Sequence, residues 1–496
     1  MNKLHLYALL IVGLGTLGAC GGGGSGSSSG AVPIPTPPTP GLPSSFNGNI
    51  ILGAPTDTSV ALKLFSPDQA GTAYVVYGNQ AGVYDHITPA LALTAAQPLG
   101  VSLTGLSPST AYFYRVDFQP SGGALGAGQP YAFHTARPAG SSFTFTIQAD
   151  SHLDENSSLD QYHLTLANVL SDKPDFHIDL GDTFMTEKHT QAFDATVQAA
   201  ADQATVNRRY QYEREHFGRF AHSVPLFLVN GNHDGELGWL NTGSAQVLPV
   251  WATLARTNYF LNPTPGAFYR GDSKAEQFVG QRAAWYAWQW GDALFVALDP
   301  YWNSTVQASK DGWNLTLGKT QYDWLADTLS TSTAKYKFVF IHNLVGGLAG
   351  AALDGQMRGG VEAAPNFEWG GKNADGTEGF SSKRFGWGLP IHQLLVKNKV
   401  TAVFHGHDHL YAKQSLDGVV YQEVPQPSAK NNNSGGTLAL AYQYNSGTIA
   451  SSSGHMRITV APSGVTAEYV RSWLPQSENA LQKNGQIADR WTVSGP

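Results

Sequence analysis

One cysteine, Cys20, occurs in 496 residues. The chain therefore forms no intramolecular disulfide and builds no multi-cysteine zinc site. Charge is also scarce: 14% of residues are Asp, Glu, Lys or Arg, with a net charge of -7. No basic stripe runs through the chain, which argues against nucleic acid as a partner. No apolar run reaches the length of a comfortable membrane span, since residues 6–17 are too few for one. Internal repeats are absent. Low charge together with abundant Gly, Ser, Thr and Asn fits an exported protein.

What the chain does have at its start is Lys3, the apolar run 6–17, and then Gly18-Ala19-Cys20. With Leu17 this resembles a bacterial lipoprotein lipobox, so residues 1–20 are expected to be a lipoprotein signal peptide. Lipidated Cys20 would then be the contact with the membrane, its acyl chains supplying the affinity. Gly21 follows where an aspartate is absent. In a Gram-negative host this resemblance implies the outer membrane, and hence a cell-envelope location. Residues 21–44 read as a tether: 21–30 are almost all Gly and Ser, and 33–43 are proline-rich and extended, at about 3.1 Å per residue.

Residues 45–137 lack helical periodicity and show short alternating strands at 59–64, 72–77 and 110–118. This is a small all-β sandwich, and 105–116 resembles the end of a fibronectin type III module of immunoglobulin-like architecture, with Tyr112 as its tyrosine corner.

From residue 138 to 496 the pattern changes. Five polar clusters each follow a short apolar run. Asp150-Ser151-His152 follows 143–147, Gly181-Asp182 follows 176–180, and Gly231-Asn232-His233-Asp234 follows 226–229. His342 follows 338–341, and Gly406-His407-Asp408-His409 follows 402–404. Runs of this length and composition read as buried strands, with helical spacing over 159–170 and 191–222 between the first three. Strand, helix, strand implies parallel pairing, so the five loops are expected along one edge of a sheet, where α/β folds keep their chemistry. Asp150 and Asp182 would then lie past the ends of adjacent strands, about 4.8 Å apart. Carboxylate and amide oxygens with imidazoles suit two metal ions sharing one carboxylate. Such ions make hydroxide available at neutral pH.

These clusters resemble the signature of the calcineurin-like, or binuclear, metallophosphoesterase superfamily over about 141–470. The resemblance implies an α/β fold, a two-sheet β-sandwich flanked by helices. By position it assigns Asp150, His152 and His409 to one metal, Asn232, His342 and His407 to the other, and Asp182 to both. His233 matches the family's non-ligand histidine, expected to stabilise the transferring phosphoryl group or protonate the leaving alkoxide, with Asp234 accepting its other ring proton. Purple acid phosphatases place a tyrosine three residues after the bridging aspartate; here that position is Met185, and His152 is present. The ions are Mn, Zn or Fe, without a choice among them. A fibronectin-like module precedes the catalytic domain in purple acid phosphatases and alkaline phosphatases of the D type, so it is expected to pack beside the active-site edge.

The implied activity is hydrolysis of a small phosphorylated substrate, with a phosphomonoester favoured over a diester of the alkaline phosphatase D kind. The rival is a non-catalytic surface-binding lipoprotein that kept the fold. Hairpin chemistry at Gly291-Asp292 and alternation over 411–424 and 455–470 predict a second sheet. Two long stretches, 235–284 and 343–389, read as substrate loops. Arg358, Arg208, Arg256, Tyr210 and Tyr212 are candidates there for phosphate contact. Trp302, Trp313 and Trp369 are candidates for an aromatic wall.

Overall fold

The computed structural model describes residues 46–186, 202–307, 311–349 and 358–495. The signal peptide and tether expected over 1–44 lie outside these residues, as does the first part of the helix expected over 191–222.

Alternation builds the amino-terminal sandwich. In Ser59–Phe65 the even positions Val60, Leu62 and Leu64 turn inward. That strand lies between Asn49–Gly53 and Leu99–Thr104 in a three-stranded sheet, which faces a five-stranded sheet centred on Gly71–Gly78 and Ala111–Pro120. Val75, Tyr114, Val116 and Phe118 close the core from the second sheet. The Tyr112 hydroxyl accepts a hydrogen bond from Ser107 N at 2.8 Å, the back-contact of a tyrosine corner.

The rest of the chain forms four layers: helix, sheet, sheet, helix. One sheet has six strands in the order Leu226–Leu228, Phe176–Asp179, Phe143–Gln148, Gly454–Ala461, Gly464–Arg471, Ile487–Ser494. Its first three strands are parallel. The second sheet has eight strands, and its centre, Ala293–Ala297, Tyr336–Phe340, Ala402–His405 and Val419–Glu423, is also parallel. Tyr286–Trp290 joins it through the Gly291-Asp292 turn, with Trp290 opposite Ala293.

Aromatic rings fill the space between the sheets. Phe227 stacks on Trp288 with centroids 4.2 Å apart, Phe145 meets Phe295 edge-on at 5.1 Å, and Phe340 stacks on Phe404 at 5.4 Å. Offset and edge-on geometries of this kind add to plain area burial. Leu159–Ser171, Gln203–Phe217 and Leu248–Tyr259 cover the outer face of the six-stranded sheet. Lys319–Thr331 and Ile391–Lys397 cover that of the eight-stranded one.

Two expectations change. The five loops do not come from one sheet: three leave the six-stranded sheet and two the eight-stranded one, and they meet because the parallel strands of both run towards the same edge. The stretch 235–284 is also no simple loop. It contains the helix Leu248–Tyr259, started by Pro249 in its first turn, and the helix buries Val250, Ala252 and Ala255 at helical spacing.

Candidate metal centre

The site begins in backbone that most residues avoid. Asp150, His152, Asp182, His407 and His409 have φ of 64°, 52°, 52°, 82° and 60°. Left-handed backbone at a non-glycine residue costs on the order of 1 kcal/mol or more, and it persists where surrounding contacts over-determine it. Those contacts are visible. His407 N donates to Asp150 Oδ2 at 2.8 Å, and His233 N donates to Asp182 Oδ1 at 2.6 Å. The loops cross so closely that a Cβ on Gly406 would lie 2.5 Å from Asp150 Oδ2, and one on Gly231 would lie 2.3 Å from Asp182 Oδ1. Both glycines are demanded by close approach.

One oxygen of each carboxylate is thus fixed by backbone, and the other is aimed inward. Asp150 Oδ1, Asp182 Oδ2 and Asn232 Oδ1 are buried and accept no hydrogen bond. Buried acceptors without donors are costly, so the approach of Asp150 Oδ1 and Asp182 Oδ2 to the same ring nitrogens marks a place for a cation. Imidazole nitrogens surround them. His152 Nε2 and His409 Nε2 each lie 3.7 Å from Asp150 Oδ1, and His152 Nε2 lies 3.7 Å from Asp182 Oδ2. His342 Nε2 lies 3.0 Å from Asp182 Oδ2 and 3.2 Å from His407 Nδ1. Ligands about 2.1 Å from one ion stand about 3.0 to 3.4 Å from each other, so the two His342 spacings suit edges of a coordination polyhedron, and the 3.7 Å spacings around His152 and His409 are slightly wider.

Three overlapping groups could each hold an ion, their ligand atoms within 4.8 Å of one another: Asp150, His152 and His409; Asp182, His342 and His407; and His152, Asp182 and His233. Asp182 belongs to two of them. His342 Nδ1 lies 2.9 Å from Leu180 O, which fixes the tautomer and leaves Nε2 as the coordinating atom. His152 Nδ1 lies 3.2 Å from Met185 Sδ, so Met185 packs on a ring of the site.

Electrostatics point the same way. Burial pushes the Asp182 carboxyl up, but the His342 and His233 imidazoles outweigh it and hold it well below the usual range. Burial lowers His342, yet Asp182 and Asp150 raise it to about 9. Positive charge is what this point stabilises. His409 is pushed down to about 3 by burial and by His152, so it stays neutral, as a ligand must.

The carboxylate expected to steady the His233 ring does something else. Asp234 Oδ2 accepts from Asp182 N at 3.0 Å and Gly231 N at 2.6 Å, and Oδ1 accepts from Thr183 N and Thr183 Oγ1, both at 3.2 Å. Asp234 therefore binds the 181–183 loop to the 231–234 loop, because its side chain turns back to the nearest backbone donors.

The other candidates divide. Arg358 grips the His407 carbonyl and lies 3.2 Å from Asp408 Oδ1, so it shapes the His407 loop. Arg256 is buried on Glu236, the Tyr210 hydroxyl donates to Asp234 O at 3.0 Å, and Arg208 is exposed. Trp313 and Trp369 are core residues, bonded through Nε1 to Asn373 and Tyr421. Trp302 lies under the Arg282 guanidinium at 4.0 Å. Sequence reasoning missed the support beneath the His407 loop. Glu423 holds His405 Nδ1 at 2.7 Å and accepts from Asp408 N at 3.0 Å, while the Tyr444 hydroxyl donates to Asp408 Oδ2 at 2.7 Å. Glu423 ends a strand next to the cluster and had a positional signal; Tyr444 had none.

The family model for calcineurin-like phosphoesterases matches residues 143–411. Among solved structures, that of PhoD superposes with a TM-score of 0.63 at 15% identity, covering 93% of this chain and 92% of the other. The purple acid phosphatase PPD1 from yellow lupin (Lupinus luteus) seeds superposes with a TM-score of 0.55 at 14% identity, covering 90% of this chain and 74% of that one. At these identities the likeness is one of fold. No sequence among curated proteins matches this chain.

Proposed function

The chain belongs to the calcineurin-like phosphoesterase family and is a metal-dependent hydrolase of phosphate esters, and we propose from that premise that it is a phosphomonoesterase with a two-ion centre. Asp150, His152 and His409 would hold one ion, Asn232, His342 and His407 the other, and Asp182 both. The observation that carries the reading is the convergence of Asp150 Oδ1 and Asp182 Oδ2, buried acceptors without donors, among the imidazoles of His152, His342, His407 and His409, with Asn232 Oδ1 buried and unpartnered as well. When bound, Mn, Zn or Fe ions would supply Lewis acidity and a hydroxide nucleophile at neutral pH.

The chain's own groups do the rest. Backbone N–H groups of His407 and His233 hold the two carboxylates in register. The Leu180 carbonyl orients His342. His233 is partly exposed and its ring centroid lies 5.2 Å from that of His152, which places it to donate a proton to a departing alkoxide or to a phosphoryl oxygen.

The envelope location belongs to the same proposal. It rests on Gly18-Ala19-Cys20 after a short apolar run, with Cys20 lipidated, residues 21–44 as tether and the outer membrane as anchor. The small phosphorylated substrate would be met outside the cytoplasm.

The test is hydrolysis of a chromogenic phosphate monoester and its matched diester after chelation and add-back of Mn, Zn or Fe. Monoester preference restored by one metal is expected. Diester preference would move the reading to a phosphodiesterase. Two bound ions without turnover would favour the surface-binding lipoprotein.

A further inference from the structure

Four of the six expected aspartate and histidine ligands, Asp150, His152, Asp182 and His342, are at most 3% exposed, and His407 is 6% exposed. The His409 side chain is 31% exposed. Among the described residues the centre reaches solvent at His409 and at the partly exposed Asn232 and His233, and the His409 side is one approach open to substrate. On that side His409 forms one wall of a cavity of about 310 Å³, whose other walls include Asn156, Gln426, Lys430, Asn431, Asn433 and Leu438. One cation lines it, and no carboxylate does. The Lys430 ammonium makes no ion pair among the described residues, whereas Arg358 is committed to His407 O and Asp408.

The loop that carries Lys430 is anchored to the site itself. Asn433 Nδ2 donates to His409 O at 2.6 Å, and Asn433 Oδ1 accepts from Ser452 N at 2.9 Å. Asn432 Oδ1 accepts from Ser453 N at 2.9 Å and from Arg471 Nη2 at 3.1 Å. Lys430 N donates to Asn156 O at 3.0 Å. Asn431 and Asn432 are held at φ of 57° and 49°, backbone that needs such anchoring. The loop thus fixes the backbone of Lys430 relative to His409 and leaves the Lys430 and Asn431 side chains facing the entrance. A lysine there acts as a point charge for phosphate oxygens, and a neutral amide beside it adds a donor without a competing charge.

We propose that Lys430, with Asn431, receives the free anionic oxygens of the substrate phosphate and so selects dianionic monoesters over monoanionic diesters. The proposal rests on the phosphoesterase reading and sharpens it to a substrate class. Diesters offer one free negative charge fewer, and their second ester arm would displace the lysine from its partner.

The test uses the full-length, metal-loaded protein and its Lys430→Ala, Lys430→Arg and Asn431→Ala variants. Three quantities are read: metal content, calorimetric binding of inorganic phosphate, and kcat and KM for a matched monoester and diester. Loss of a charge-assisted contact is expected to weaken phosphate binding and raise the monoester KM by about tenfold to a hundredfold in Lys430→Ala. Diester kinetics should move far less, and metal content should not change. Lys430→Arg should recover most of the loss, and Asn431→Ala should show a smaller one. Equal losses for both ester classes, or unaltered phosphate binding, would overturn the proposal. If no ester were turned over while phosphate binding still fell in Lys430→Ala, the recognition role would stand and the hydrolase reading would fall.

Discussion

Asp182 belongs to two of the three groups of residues that could hold an ion. Its Oδ1 is taken by His233 N, and its Oδ2 faces His342 Nε2 at 3.0 Å. Asp182→Asn preserves the shape and removes the charge. It is expected to abolish metal-dependent turnover and lower bound metal, read by elemental analysis beside the rate. His233→Ala is a different lesion: turnover should fall by about a hundredfold to ten-thousandfold, the usual worth of a positioned proton donor, with metal content intact. Equal metal loss in both variants would refute the separate role given to His233. Gly406 supplies a steric test. A methyl there would press on Asp150 Oδ2 from 2.5 Å. Gly406→Ala should therefore weaken metal binding in a titration while far-UV circular dichroism stays unchanged.

At the scale of elements, the helix Gln203–Phe217 carries one of several buried or half-buried histidines that make stability fall in acid. His216 is buried, with Nδ1 3.0 Å from His163 Nε2 and its ring edge-on to Tyr212 at 4.8 Å. Burial, then His163 and Arg219, push its pKa down to about 3. In the unfolded chain the same group titrates near 6.5. Below pH 6.5 the unfolded state therefore binds a proton that the folded state refuses, and stability falls as pH drops from 6.5 towards 3. At pH 5 the loss from this residue is about 2 kcal/mol. Urea denaturation of His216→Gln between pH 7 and 5 should show a shallower decline by that amount, and parallel curves would refute the assignment. The elements themselves were largely legible in the sequence. Strands at Phe143–Gln148, Phe176–Asp179, Leu226–Leu228, Tyr336–Phe340 and Ala402–His405 match the apolar runs closely, because parallel strands covered on both faces need unbroken apolar sequence. Sheet membership was not legible. Phe143–Gln148 pairs on one side with Phe176–Asp179 and on the other with Gly454–Ala461, and no local pattern encodes a partner that remote. Lys430 and Asn431 escaped notice for the opposite reason: exposed polar residues have no periodicity, and only the fold brings them beside His409.

At the scale of the molecule, the amino-terminal sandwich is built into the catalytic body. Ile51 and Phe65 belong to the same apolar cluster as Phe217, Tyr259 and Phe260. Polar contacts bind the same seam: Leu52 N donates to Ala221 O at 2.9 Å, and the Tyr114 hydroxyl donates to His222 O at 2.6 Å. Lys63 makes three more. Its ammonium donates to Thr257 O, Asn258 O and Phe260 O at 2.6, 2.5 and 3.0 Å, capping the carboxyl end of the helix Leu248–Tyr259, where unpaired carbonyls and the helix dipole favour a cation. Burial, with Arg214 adding to it, lowers the Lys63 pKa to about 8, so near neutral pH most of the charge is retained. This helix also carries Arg256, which meets Glu236 two residues beyond Asp234. The sandwich thus supports an element that reaches the metal loops, which an independent adhesive module would have no reason to do. Lys63→Met should leave three carbonyls without a donor, at a cost of about 1–3 kcal/mol for each group left buried and unsatisfied. Scanning calorimetry should then show the single unfolding transition of the parent protein split into two, the sandwich melting apart from the catalytic body. An unchanged single transition would mean that the apolar seam around Ile51 and Phe65 suffices alone.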